Sequence, residues 1–263
     1  MMGSLKINYI MYGTGKTGGV IVLFHFMNEL VKSGYEISLT KMYYDDWFRL
    51  SKDIKIILKR TRFNQYLLYG KLILFKNNEL LHHVRYLKKL YDMVPKADIN
   101  VATFSPTAYV VSWKSMDGSV PFYHMQHFET IMFSNPLMKK FVSDMYFLPI
   151  YKIANSKWLQ KKLLSLTGIE YSIVNPAIEQ NIFYPRKAHQ SDDGSINIIA
   201  LGKGGWKGAV GIYNAVNMVR SKLTNKKIFL HFFGHKPPQG IQFDNKEIVF
   251  HKDLSDDQLA ELY

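Results

Sequence analysis

The sequence predicts an α/β protein whose strands form parallel sheets covered by helices. Short runs rich in Ile, Val, Tyr and Phe alternate with stretches whose apolar residues recur at helical spacing, the pattern of strands joined through helices on both sheet faces. Glycine-rich turns follow two of the apolar runs, at residues 13–19 and 202–208. A stretch near residues 175–195, with two prolines and then Gln, Ser, Asp and Gly, divides the chain into two units.

Residues 5–12 alternate weakly and are rich in Ile and Tyr, which fits a first strand. Gly13-Thr-Gly-Lys-Thr-Gly-Gly19 is a glycine loop. Val20, Leu23, Phe24, Met27, Leu30 and Val31 then share one helical face until Gly34 stops the helix. Residues 36–40 form a second strand. Residues 47–93 read as a basic, mostly helical insert with His82 and His83 on its surface. Buried strands follow at 99–104 and 120–125. Residues 151–155 lead as a strand into a helix from Ser156, whose hydroxyl suits an N-cap. Beyond the linker come a strand at 196–202, a helix at 207–222, strands at 228–234 and 247–250, and a helix opened by Ser255. Gln258 stands three residues after Ser255, the spacing of a capping box. The expected domains are residues 1–185, with the insert at 47–93, and residues 190–263. The second is short of the usual domain size of about 100–150 residues and stops in mid-helix at Tyr263.

Apolar residues make up 47% of the chain and aromatics 14%, enough for packed cores and contrary to disorder. Cysteine is absent, which excludes disulfides and thiolate metal sites and fits a reducing compartment. The longest uncharged stretch, residues 99–113, contains Pro106 and falls short of the roughly 20 apolar residues of a spanning helix. The first apolar run stops at Gly13, short of a signal core. These features predict a cytoplasmic protein. Net charge is +13, and residues 47–93 carry eleven Lys and Arg against Asp53, Glu79 and Asp92. Trp47, Phe48, Phe63, Tyr66 and other aromatics lie among those charges. The pattern suits an anionic membrane surface, a nucleic-acid backbone or the solvated face of an ordinary helix.

Three short patterns carry the chemistry: Ile153-Ala-Asn-Ser156-Lys-Trp158-Leu, then Asn175-Pro-Ala-Ile178-Glu179-Gln-Asn-Ile-Phe183-Tyr-Pro185, then Ala200-Leu-Gly202-Lys203-Gly-Gly-Trp-Lys207-Gly208. The last sets two lysines in a glycine-rich turn between a strand and a helix. Backbone N–H groups and the positive end of the helix dipole favour an anion there, and each lysine adds a full charge. In this order and spacing the chain resembles the retaining glycosyltransferases of family 4, which have the two-domain GT-B fold. That family has a Ser-x-x-Leu helix start, an Asn-Pro-Gly-[Val/Ile]-Asp-x-x-x-Phe-x-Pro linker and a Gly-Arg…Lys-Gly turn that holds the donor's diphosphate. Here Ala177 stands for the glycine, Glu179 for the aspartate and Lys203 for the arginine, and the Lys203–Lys207 gap is one residue short. Lysine holds phosphate as a point charge instead of a bidentate fork.

The resemblance implies a GT-B-like fold: an N-terminal Rossmann-like parallel-sheet domain and the beginning of a second one, C-terminally truncated before the family's acidic motif. It implies transfer of a sugar, with retention, from a UDP- or GDP-sugar to a lipid-linked, glycan or protein acceptor. No cofactor or metal is required. Lys203, Lys207 and Gly208 would hold the donor. Gly18 and Gly19 match the family's Gly-Gly pair, where no Cβ bars a phosphate or acceptor; a tight turn that only needs glycine is the other reading. Phe122-Tyr-His124-Met-Gln126-His127-Phe-Glu129 ends a strand at the edge where open α/β folds place ligands. By position His127 is the catalytic candidate, able to hydrogen-bond the transferred sugar or the departing phosphate, with His124 and Glu129 on the acceptor side. Purely structural hydrogen bonding by His124 and His127 is the alternative. The resemblance also favours a membrane over nucleic acid for residues 47–93, making the enzyme peripheral to the membrane. Two rival readings stand. Gly15-Lys16-Thr17 suggests a P-loop kinase or NTPase, although the signature's first glycine falls on Ile10. The basic segment suggests a non-catalytic module for nucleic acid or membrane.

Overall fold

The computed structural model describes residues 4–13, 17–41, 50–58, 79–185, 194–203, 207–244 and 246–263, with the backbone alone for Leu58 and residues 79–83. Lys16, residues 59–78 of the basic insert, linker residues 186–193 and residues 204–206 lie outside the described residues. The side chains of His82 and His83 do too. The chain forms two compact units, Met1–Ala177 and Ile178–Tyr263.

Among the described residues of the first unit, seven strands pair in parallel: β1 (Lys6–Met11), β2 (Glu36–Lys41), β3 (Lys55–Leu58), β4 (Ile99–Ala102), β5 (Val120–Met125), β6 (Tyr151–Ala154) and β7 (Ser172–Ile173). Their order is β3-β2-β1-β4-β5-β6-β7. Alternation along β1 decides what each face buries. Ile7, Tyr9 and Met11 pack with Leu23, Phe24 and Met27 of helix α1 (Gly18–Lys32). Ile10 points to the opposite core. There it joins Tyr86, Leu87 and Leu90 of α2 (Glu79–Met93), Val110 and Val111 of α3 (Ser105–Lys114), Val142 of α4 (Pro136–Asp144), and Leu159 and Leu163 of α5 (Lys157–Thr167). Ser156 caps α5, its Oγ accepting the Leu159 N–H at 3.3 Å.

The basic insert is not helical throughout. Lys55–Leu58 is an edge strand in register with Ser38–Lys41 of β2. The β-branched pair Ile56-Ile57 sets that preference, and edge strands tolerate neighbouring lysines. In α2 the basic residues Arg85, Lys88 and Lys89 are exposed while Tyr86, Leu87 and Leu90 are buried, so its charges are the solvated side of a core helix.

A polar ladder crosses three strands, β2, β1 and β4, to the residue before β5. Asn8 Oδ1 accepts from Ser38 Oγ and Thr40 Oγ1, each at 2.9 Å. Asn8 Nδ2 donates to Asn100 Oδ1 at 3.0 Å, and Asn100 Nδ2 to Ser119 Oγ at 2.9 Å. Each group is satisfied only in one register of β2, β1 and β4 and one placement of Ser119 before β5.

The second unit has β8 (Ile196–Leu201), β9 (Ile228–Gly234) and β10 (Ile248–Lys252) in parallel, ordered β10-β9-β8 among the described residues. Ala200, Leu230, Phe232 and Ile248 form its core with Ala209 and Val216 of α6 (Ala209–Lys222). Arg220 of α6 donates from Nε to the Ile228 carbonyl at 3.0 Å and from Nη2 to the Glu247 carbonyl at 3.0 Å, tying the helix to the starts of β9 and β10. Ser255 opens α7 (Asp256–Leu262) with the capping box: its Oγ accepts the Gln258 N–H at 3.2 Å, and Gln258 Oε1 accepts the Ser255 N–H at 2.9 Å. Among the described residues no helix is long and apolar enough to cross a membrane.

Asn100→Ala leaves the buried Asn8 Nδ2 without an acceptor and removes a donor from Ser119 Oγ, whose hydroxyl still donates to the Lys114 carbonyl, and is expected to cost about 1–3 kcal/mol in urea unfolding. Loss of less than about 0.5 kcal/mol contradicts the ladder's part in setting register.

Candidate functional site

The strand order reverses between β1 and β4, with β2 and β3 on one side and β4 to β7 on the other. Open parallel sheets leave a crevice outside the carboxyl ends of the strands at such a reversal. Thr103, just past β4, donates from Oγ1 to the Ile10 carbonyl at 2.9 Å and fixes the two strand ends together. Tyr12 follows β1 and packs its ring 4.4 Å from Tyr86 and 5.7 Å from Phe104. Its carbonyl accepts the Tyr86 hydroxyl at 2.5 Å. Thr103, Tyr12 and Phe104 were not singled out from sequence as site residues, and Tyr86 was read only as one of the aromatics of the basic segment; the Thr103-x-x-x-Thr107 spacing hints at the first, because Thr107 Oγ1 accepts the Thr103 N–H at 3.1 Å.

Thr17 caps α1, its Oγ1 accepting the Val20 N–H at 3.4 Å, so Gly18 and Gly19 form the first helical turn. Neither has a positive φ, and a φ requirement therefore does not explain them. A Cβ on Gly18 would meet nothing within 4 Å, while one on Gly19 would touch Gln126 Cγ at 3.8 Å. The helix start thus lies against the end of β5.

The three candidates from β5 occupy different settings. His124 is 4% exposed with its ring edge-on to Phe26 at 5.1 Å. Burial lowers its pKa to about 4, which keeps the ring neutral at pH 7. His124 Nε2 and Gln126 Nε2 are both buried without a hydrogen-bond partner among the described residues. His127 is half-buried, and its Nδ1 lies 3.1 Å from the Phe128 carbonyl. A carbonyl only accepts, so Nδ1 carries the proton and Nε2 is the basic nitrogen of the neutral ring. Asn155 Nδ2 holds the Gln126 carbonyl at 2.8 Å, a contact foreshadowed only by its place before the Ser156 cap.

Glu129 is 2% exposed. Its carboxylate accepts the Ser105 N–H at the start of α3 at 2.5 Å and the Tyr123 hydroxyl at 2.7 Å. Its own N–H donates to Tyr146 Oη at 2.9 Å. Desolvation raises its pKa to about 7, with the Ser105 and Tyr123 hydrogen bonds pulling the other way. Both carboxylate oxygens are engaged inside the first unit, where they fasten the loop after β5 to the N-terminus of α3.

In the second unit the chain leaves β8 through Gly202, whose N–H donates to the Phe233 carbonyl at 2.8 Å. A Cβ there would lie 2.9 Å from Phe250 Cε2 and 3.3 Å from both Phe232 Cβ and the Phe233 carbonyl oxygen. Lys203 turns sharply, its N–H meeting the Leu201 carbonyl at 2.8 Å. Lys203 and Lys207 are exposed. Gly208 takes a φ of 72° and precedes α6 without a side-chain cap, and no acid lies in the first turn. A left-handed residue, an uncapped helix start and two exposed cations make this turn suited to an anion. Among the described residues, no group of three His, Cys, Asp or Glu side chains could hold a metal.

No family model matches the chain, and no curated protein does. Solved structures do. HepE of Anabaena, in complex with UDP and glucose, shares 13% identity and a TM-score of 0.61 over 97% of this chain and 71% of that one. Sucrose-phosphate synthase of Thermosynechococcus elongatus shares 10% identity and a TM-score of 0.62 over 97% and 72%. The lipopolysaccharide outer core galactosyltransferase WaaB shares 14% identity and a TM-score of 0.54 over 95% and 69%. At these identities the similarity establishes the fold, which is α/β, Rossmann-like and GT-B-like.

Two outcomes follow from this geometry. The folded chain binds a proton at Glu129 more tightly than the unfolded chain does, because the folded pKa is raised from 4.5 to about 7. Its contribution to stability is full below about 4.5 and lost as pH rises through about 7. Glu129→Gln is expected to remove a pH slope of up to about 1.4 kcal/mol per unit within that window, as seen in urea unfolding across the range. An unchanged slope contradicts it. Gly202→Ala is expected to cost about 1–3 kcal/mol in thermal unfolding, because the Phe232 Cβ and the Phe233 carbonyl, both fixed by β9, cannot yield as the Phe250 ring can.

Proposed function

We propose that the chain is a glycosyltransferase of the family 4 type, moving a sugar from a nucleotide-sugar to an acceptor with retention of configuration. The observation that carries the reading is the pair of exposed lysines, Lys203 after β8 and Lys207 just before Gly208 and an uncapped 14-residue helix. Departure of a nucleoside diphosphate breaks the bond to the anomeric carbon and leaves negative charge on the phosphate. Lys203, Lys207 and the N–H groups at the start of α6 stabilise that charge as it grows, the largest lever an enzyme usually has. The two HepE structures solved with UDP and with UDP-glucose support a uridine nucleotide for this chain; a GDP-sugar is the other donor the turn accommodates.

In this reading residues 190–263 hold the donor and residues 1–185 the acceptor. Gly18 and Gly19 leave the start of α1 open to a phosphate or a hydroxyl. His127 presents Nε2 as hydrogen-bond acceptor or base. His124 and Glu129 serve the acceptor side from beneath, as positioning residues: the first keeps a neutral ring under α1, and the second holds the loop that bears His127. The reaction needs no metal or cofactor, and its acceptor is a glycan, protein or lipid-linked molecule. The protein works in the cytoplasm, peripheral to a membrane that the basic residues 47–93 attract.

Lys207→Ala is expected to lower turnover with a UDP-sugar at least about tenfold while the thermal unfolding midpoint stays put, and EDTA is expected to leave the unaltered enzyme's rate unchanged. An unaffected rate in the variant removes Lys207 from the mechanism. Mg²⁺-dependent ATP hydrolysis abolished by Lys16→Ala contradicts the whole reading.

A further inference from the structure

We propose that the loops leaving β5 and β6 dock the first unit on an anionic bilayer. Ile131 is 65% exposed, Met132 60%, Leu137 65% and Trp158 60%. Single exposed apolar side chains are ordinary, but these four come from two adjoining loops. Ile131 and Met132 close the single turn Glu129–Met132, which packs against α4, where Leu137 lies in the first turn. Trp158 occupies the first turn of α5, and the Asn155–Gln126 hydrogen bond holds the two loops together at the carboxyl edge of the sheet. The tip does not collapse onto the core, because the buried Glu129 ties its base to Ser105, Tyr123 and Tyr146.

The charge around the tip selects its partner. Between residues 126 and 168 the exposed ionic side chains are Lys139, Lys140, Lys157, Lys161 and Lys162 against Asp144 alone. Lys140 meets that aspartate at 3.1 Å. Lysines around exposed Ile, Met, Leu and Trp match an anionic interface, where cations meet headgroups, tryptophan sits at headgroup depth and aliphatic side chains enter the acyl boundary. A nucleic-acid backbone matches the lysines but offers nothing to the aliphatic side chains. The inference rests on the transferase reading only for its purpose, which is to bring a bilayer-borne acceptor to the edge where His127 and Gly18 lie.

The test uses the full chain and vesicles of phosphatidylcholine with about 30 mol % phosphatidylglycerol in co-sedimentation. Ile131→Ser/Met132→Ser/Leu137→Ser/Trp158→Ser, which keeps every lysine, is expected to lower partitioning at least about tenfold. Lys139→Gln/Lys161→Gln is expected to weaken binding and flatten its salt dependence. Partitioning of the serine variant equal to that of the unaltered chain overturns the proposal, as does tighter binding of the unaltered chain to duplex DNA than to vesicles. UDP calorimetry on the same samples keeps the two readings apart. Vesicle binding that depends on the apolar tip without any UDP binding sinks the transferase and leaves the docking surface. UDP binding with tip-independent partitioning does the reverse.

Discussion

Within each sheet, parallel hydrogen bonding sends the described strands out at that sheet's own carboxyl edge, and such an edge is where the unit can place chemistry. Within the first unit the ends of β1, β4, β5 and β6 deliver Tyr12, Thr103, Gln126 and Asn155 together. Within the second, the end of β8 delivers Gly202 and the lysine turn. Hydrophobic burial on both faces supplies the cohesion but does not by itself choose a register. In the first unit the Asn8–Asn100–Ser119 ladder does, because a slipped strand leaves buried amides unpaired.

The same low-polarity interior gives the edge its electrostatic character. Glu129 combines deep burial with two hydrogen bonds to its carboxylate, and burial prevails enough to hold its pKa near 7. His124, with no hydrogen-bond partner at Nε2 among the described residues, moves the opposite way and stays neutral. Both groups are buried instead of facing solvent, and Glu129 fastens the loop after β5. The exposed edge is left to His127, the glycines at the start of α1 and the apolar tip. Cations accumulate in the second unit at the uncapped start of α6, whose first turn carries no acid.

Much of the fold was legible in the sequence because its signals are local. The alternation of β1, the helical face of α1, the Ser156 cap and the Ser255–Gln258 box all act within a few residues, and the structure has each of them. The strand β3 was hidden because four residues among lysines leave little periodicity, and pairing with β2 decides their state. Helix α3 was missed for a related reason: Ser105 to Ala108 are buried in succession with Val110 and Val111, so no clear polar face marks its period. Long-range partners are the part that sequence does not carry. Glu129 beside a histidine-rich strand end looks like a ligand-facing acid, and only the fold shows the Ser105 N–H and Tyr123 hydroxyl that claim it. The lysine turn was legible as a cationic bend; its uncapped helix start and the steric need for Gly202 emerged from the structure.

The claim at the centre is that the turn after β8 takes the diphosphate of a nucleotide. Titrating UDP into the ¹⁵N-labelled chain and following backbone amide shifts tests it without requiring an acceptor. The account predicts the largest shifts at Gly202, Lys203 and Lys207 through Gly211, with saturation. Shifts confined to residues 13–19, or none at all, contradict it.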